Sequence, residues 1–352
     1  MAANNGSGAA GQKQESLFMQ IVLTYMYIAV WIGLSAAVIL INKYVLAYSG
    51  FPFPIALTLI HMAFCATLAF LLIKLGVSDT VHMDSQTYTR CVLPIAALFS
   101  GTLWMGNAAY LYLSVAFIQM IKALMPAAVY TSGILLGTET YSTNYALNMV
   151  VVTIGVAVAS YGELNFNLTG VIFQCSSIAT ESTRLVLIQI LLQQRGIKLN
   201  PITTLYYIAP ACFGFLLIPF SFIEAPRLFG FSPVDFEVTV NVPVLLASAA
   251  SAFCLNMAVF LLIGKSSALT MNVAGVIKDW LLILLSVMMY ASPVSGLQLG
   301  GYALAFGGVC WYNYLKYKSM QAKAADSGKL SSDEKAPLME QKEMSSMQGS
   351  KA

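Results

Sequence analysis

Charge is what this sequence has least of. Asp, Glu, Lys and Arg make up 9% of its 352 residues, against 58% hydrophobic, where a soluble domain carries about 25% charged residues. That deficit excludes an ordinary water-soluble globule and points to a polytopic membrane protein. Histidine is nearly absent, with His61 and His82 alone. The six cysteines fall one per apolar segment without a CxxC pair, which excludes a disulfide framework or a zinc ribbon. No GxSxG, HExxH or Walker A pattern occurs, so no catalytic set is visible. An enzyme is not expected, and neither is a metal, a cofactor or a nucleic-acid partner. The leader is sparse as well: residues 1–18 are rich in Gly, Ala, Asn and Gln and hold no arginine. That composition argues against a cleaved signal or a transit peptide, and so against an organelle-envelope address.

What is present is apolar text in long runs. Ten segments stand out, at about 21–43, 54–74, 91–112, 116–136, 146–162, 169–192, 202–223, 242–263, 267–289 and 298–316. Most reach the ~20 residues that cross a bilayer core. All are expected to be helical, because backbone groups in lipid must bond internally. The seventh is expected to be broken by Pro210 and Pro219. An even count puts both ends on one side. With the ends in the cytosol, Lys74, Arg90, Arg195, Lys198, Lys265, Lys316 and Lys318 all lie at cytosolic ends or loops. The opposite loops hold Arg227 with Glu163, Glu224, Asp235 and Glu237. This is the positive-inside bias, and it supports both the count and the orientation. Two glycosylation sequons begin at Asn5 and Asn167; the topology puts the first in the cytosol and the second in the lumen. The Lys/Glu/Ser-rich tail from residue 318 is expected to be disordered, and its dileucine-like Glu334…Leu338-Met339 is read as a chance match before a sorting signal.

The chain also repeats. Ser114–Tyr161 lies ungapped on Ser266–Asn313, and Ser35, Pro54 and Ile55 fall on Ser182, Pro201 and Ile202. Two halves of five spans each follow, residues 21–163 and 164–317, between an N-terminal segment 1–20 and a tail 318–352. Five is odd, so the halves have opposite orientation. The expected fold is therefore an all-α membrane protein of ten transmembrane helices in two inverted five-helix repeats. Such repeats are the signature of many secondary transporters, whose sites lie near the midplane at the repeat interface.

A charge in mid-span is expensive, about 2.5–3.5 kcal/mol on insertion scales, and by default marks a site. Lys278 and Asp279 sit inside the ninth span, in GKSSALTMNVAGVIKDW, Gly264–Trp280. The repeat gives Lys278 a partner. Its counterpart is Pro126, and Lys122 lies one turn away on the same face. Gln119, Lys122, Pro126 and Tyr130 form one stripe of the fourth span; Ser267, Met271, Ala274 and Lys278 form one of the ninth. Asp279 projects about 100° from Lys278 on an ideal helix, so no automatic ion pair is expected. Glu181 and Arg184 stand at i, i+3 in the sixth span with Gln174 and Ser177, either as an ion pair or as part of the site. Lys43 sits beside Asn42 at the luminal end of the first span, as a snorkelling cation or a substrate ligand. The third span carries Asn107 and Tyr110, the second Thr58 and His61, the eighth Ser248, Ala252 and Asn256. Tyr206 and Tyr207 in the seventh are read as packing residues. Two midplane cations suit a phosphate or pyrophosphate anion, lysine being a compact point charge for phosphate. An empty carrier with two bare lysines would reorient slowly, which predicts obligatory exchange.

At these motifs a resemblance appears. FIQMIKALMP at Phe117–Pro126 and SSALTMNVAGVIKDW at Ser266–Trp280 are similar to the fourth- and ninth-span motifs of the triose-phosphate translocator/nucleotide-sugar transporter family, within the drug/metabolite transporters. Asn42-Lys43-Tyr44, Tyr161-Gly162-Glu163, ATESTR at Ala179–Arg184 and LNPITTLYYIAP at Leu199–Pro210 fit as well, and the similarity covers about residues 20–317. The resemblance implies an antiporter in which Lys122 and Lys278 grip substrate phosphate. Plastid members carry Lys-Arg at the ninth-span motif; here the second position is Asp279. That departure, which suits hydroxyl recognition, implies the plant-type Lys-Asp subgroup of Golgi nucleotide-sugar carriers, which includes UDP-arabinofuranose transporters. The expected function is thus exchange of a nucleotide-sugar, a UDP-sugar first, for a nucleoside monophosphate across the Golgi membrane by alternating access. Expected substrate ligands are Lys122, Lys278, Asp279, Lys43, Asn107, Tyr110, Gln119 and Arg184, with Glu181 and Arg184 as gating residues or an ion pair. The same-class alternative is a sugar-phosphate or phosphoenolpyruvate exchanger for phosphate; the alternative of another class is a non-transporting membrane scaffold or receptor. Membrane lipid is a partner on any reading, and a homodimer is compatible with the sequence.

Overall fold

The computed structural model describes residues 6–78, 83–193, 200–231, 238–263, 268–319 and 321. Side chains are described from residue 22 onward, except at 192–193, 260–263 and 268–273. Asn5, Arg195, Lys198, Asp235, Glu237, Lys265, Ser266, Ser267, the Met271 side chain and the tail with its Glu334…Met339 motif lie outside the described residues.

Among the described residues every regular element is a helix. The order is α1 (Gly6–Ala47), α2 (Pro54–Lys74), α3 (Ser85–Tyr112), α4 (Val115–Leu135), α5 (Thr143–Tyr161), α6 (Leu168–Ile188), α7 (Pro201–Leu228), α8 (Val242–Ile263), α9 (Ala268–Tyr290) and α10 (296–319). By length and composition α2–α5, α7, Val22–Ala47 of α1 and Val242–Val259 of α8 are able to cross a membrane, seven candidates in all. The boundaries follow from local chemistry. Ser114, Asn167 and Asn200 turn their side chains onto the N–H groups of Phe117, Gly170 and Thr203 at 2.8–3.1 Å, capping α4, α6 and α7 as short polar residues do. Pro54 and Pro201 open α2 and α7, where a missing N–H costs nothing. The Asn167 sequon therefore sits on a helix cap.

Two prolines behave differently from the sequence expectation. The α-helix runs through Pro210 as far as Pro219 and does not break there; neighbouring helices hold the segment in register. After Pro219 a π-turn, Phe220–Glu224, takes up the irregularity and the helix continues to Leu228. In α4 the irregularity lies ahead of the proline. Pro126 has no N–H for the Lys122 carbonyl, so the Met125 N–H takes that carbonyl instead and Lys122–Leu124 tightens into a 3₁₀ turn. The stripe expected from Gln119 to Tyr130 is broken at this point. Tyr130 turns away, its hydroxyl accepting from Ser142 N at 2.6 Å.

The helices pack in a set of pairs. α3 lies along α6, α1 along α8, α2 along α7 and α4 along α9; further contacts join α3 to α7, α2 to α8, α4 to α6 and α1 to α9. α5 meets α10 backbone to backbone: a Cβ on Gly301 would lie 2.3 Å from Ala159 N, and one on Gly155 2.4 Å from Ala305 N. Close approach through small residues is how helices associate in lipid. α3 and α6 run antiparallel, with Leu113 against Gly170 at one end and Met105 and Thr180 flanking Gly101 further along. The buried core gathers where α1 ends, α2 begins and α3 passes into α4, together with the inner faces of α9 and α10.

Candidate functional site

The core leaves a cavity of about 460 Å³ between α1, α2, α3, α4, α6, α8 and α9, within the roughly 300–1,000 Å³ of small-molecule sites. Lys122 of α4 and Lys278 of α9 both line it, with Asn107, Tyr110, Gln174, Ser177 and Glu181. A smaller cavity of about 220 Å³ opens between α4, α9 and α10. Lys122 lines this one too, with Gln119, Asp279 and Tyr302. Lys122 therefore stands in the wall between the two. The tightened turn that carries it is the local consequence of Pro126.

The charges are paired unevenly. Arg184 donates to both Glu181 oxygens, at 2.5 and 2.9 Å, and its guanidinium lies 4.5 Å from the Phe99 ring centre. Lys278 Nζ lies 3.4 Å from Asp279 Oδ1 and 5.4 Å from the centre of the Trp31 ring, within cation–π range. The Lys278–Asp279 pair corrects the sequence expectation: adjacent Cα–Cβ vectors diverge, but the four-carbon lysine stem swings back across that angle. Lys122 has no carboxylate within 4 Å among the described residues.

One wall of the larger cavity is a chain of hydrogen-bonded side chains. Asn42 Nδ2 donates to Asn107 Oδ1 at 3.1 Å, and Asn107 Nδ2 to Thr58 Oγ1 at 3.0 Å. Ser248 Oγ donates to Asn42 Oδ1 at 2.7 Å and lies 2.9 Å from His61 Nε2. The Ser248 proton is spent on Asn42, so His61 donates from Nε2. The chain of bonds ties α1, α2, α3 and α8 together, and it makes His61 the helix-to-helix bonder that a lone apolar-face histidine is expected to be. Each asparagine amide keeps one N–H beyond those bonds.

The expected ligands thus divide into three groups. Lys122, Lys278, Asn107 and Tyr110 meet at the larger cavity; Gln119 and Asp279 meet Lys122 at the smaller one. Lys43 and Arg184 line neither. Lys43 is buried, and its ammonium donates to the carbonyls of Tyr110 at 2.7 Å and Leu113 at 3.0 Å. It closes the C-terminal end of α3, where carbonyls lack intrahelical partners. Arg184 is held behind the wall by Glu181 and Phe99. Gln119 is 1% exposed with neither amide atom hydrogen-bonded, a state that costs about 1–3 kcal/mol per group unless a ligand or water supplies the partner. Trp31 and Tyr302 had no pattern in the sequence to single them out. Tyr206 and Tyr207 pack on each other, and Tyr207 against Tyr88, away from the cavity.

A family model described as the Triose-phosphate Transporter family matches residues 22–313. Two proteins of Arabidopsis thaliana, each named a probable sugar phosphate/phosphate translocator, are 49% and 48% identical, over 96% of this chain and 96% of theirs. UDP-galactose transporter 1 of Arabidopsis thaliana is 27% identical over 83% of this chain and 86% of its own.

Proposed function

Because the chain belongs to the Triose-phosphate Transporter family, we propose that it is an antiporter exchanging a sugar phosphate for inorganic phosphate. A multi-pass membrane transporter is what family and helices give together. The observation that carries the finer reading is the placing of Lys122 and Lys278 on one cavity. In this reading the phosphate sits between the two ammonium groups. The organic part lies against the Asn42–Asn107 pair, whose spare amide hydrogens suit hydroxyl or carbonyl oxygens.

This takes precedence over the nucleotide-sugar expectation for two reasons. The relatives at 48–49% identity carry sugar phosphate/phosphate names, whereas the UDP-galactose carrier is at 27%. The cavity also offers a base few aromatic faces among the described residues: Phe99, one face of which lies under Arg184, and the buried Tyr110. Asp279, in place of a second cation, favours the second reading, exchange of a nucleotide-sugar for a nucleoside monophosphate.

The packing supports an inverted repeat. Interchanging the halves, helix by helix, carries the α3–α6 contact onto α8–α1, α3–α7 onto α8–α2 and α4–α6 onto α9–α1. It leaves α2–α7, α4–α9 and α5–α10 on themselves. The proposed boundaries of the halves are 21–163 and 164–317. The Golgi is the proposed address on sequence resemblance, with both ends cytosolic; a fluorescent fusion tests it. Reconstituted protein, preloaded with phosphate, UMP or GMP and offered labelled sugar phosphates and UDP-sugars, tests the transport reading. Sugar-phosphate uptake driven by internal phosphate is expected. Uptake driven by nucleotides alone would overturn it in favour of the second reading.

A further inference from the structure

The two lysines are not equally bare. Lys278 holds Asp279 at 3.4 Å, and Arg184 is matched by Glu181. Among the described residues this leaves Lys122 as the cavity lysine without a carboxylate within 4 Å. Asp279 also faces the small cavity beside Lys122.

An alternating-access carrier must pass through an occluded form. Unloaded, it buries whatever charge the substrate would have matched, and a buried charge without a partner is costly. Two unmatched lysines would forbid the empty passage, and transport would be strict exchange. An aspartate on one of them removes half of that obstacle.

We propose that Asp279 is a built-in counter-ion, standing in for the substrate anion at Lys278 in the empty carrier, so that this chain recrosses the membrane unloaded and carries out net uptake alongside exchange. The inference rests on the reading in which the lysines hold phosphate. Substrate phosphate displaces the carboxylate from Lys278, and the small cavity receives it. There Gln119, buried with both amide atoms unpaired, offers an N–H. Asp279 thus competes with substrate for the same ammonium and trades affinity for freedom of return.

The test is uptake of labelled inorganic phosphate by full-length protein in vesicles, preloaded with phosphate or empty, with the membrane potential clamped. The readout is the ratio of exchange to net uptake, whatever the size of exchange itself. Wild type is expected to give a ratio below about ten. Asp279→Asn, which keeps the shape and loses the charge, is expected to raise it at least tenfold, and Asp279→Glu to restore it. Asp279→Ser serves if the amide variant does not fold. A wild-type ratio above about one hundred, or no change on removing the charge, overturns the inference alone. Absence of phosphate exchange in wild type overturns the functional reading and the inference together.

Discussion

Lys43 and Lys122 are both lysines inside helices, and their surroundings give them opposite duties. Lys43 spends its ammonium on two carbonyls at the end of α3. Lys122 faces two cavities with no carboxylate within 4 Å among the described residues. Replacing Lys43 by methionine leaves buried carbonyls without their donor, at about 1–3 kcal/mol each. Lys43→Met is therefore expected to lower the thermal unfolding midpoint in detergent by several degrees while the KM for phosphate stays within about twofold. A raised KM at an unchanged midpoint would return Lys43 to the list of substrate ligands.

At the scale of the helix, α5 and α10 depend on the absence of side chains. A Cβ on Gly301 meets backbone, not a flexible side chain that gives way. Gly301→Val must push the two helices apart, and overpacking of this kind costs about 1–3 kcal/mol. The expected result is a lower unfolding midpoint; a variant as stable as wild type would mean that this contact is absent in the membrane. The helices themselves were readable in advance, because twenty apolar residues between polar loops leave the backbone no other solution. The tightened turn at Lys122 was readable in principle, since Pro126 removes one specific donor. The recruitment of Lys43 to α3 and of Asp279 to Lys278 was not. Both depend on where a long flexible stem ends after other helices have packed, and neither spacing nor charge pattern encodes that. The lysine pair was legible because hydrophobic runs expose any charge that interrupts them, and α4 packs against α9.

Across the whole molecule, one end is cross-linked by buried polar bonds. Lys43 closes α3, the Glu224 carboxylate takes the N–H groups of Ile55 and Ala56 at the start of α2, and Tyr290 donates to Leu40 O at 2.6 Å. Gln298 donates to Glu163 at the same end. The topology expected from the loop charges makes this the luminal end. At the other end the Lys316–Glu139 pair is partly exposed. The proposed alternating-access carrier closes one end at a time, and these bonds hold one end of the lysine-lined cavity together. The account stands on Lys122 and Lys278 holding substrate phosphate in that cavity. The most direct measurement is phosphate/phosphate exchange in vesicles by Lys122→Met and Lys278→Met, each shown by thermal unfolding to be folded. Loss of a charge-assisted bond of about 1.5–3 kcal/mol predicts exchange reduced at least tenfold in both. Wild-type exchange from either folded variant would contradict it.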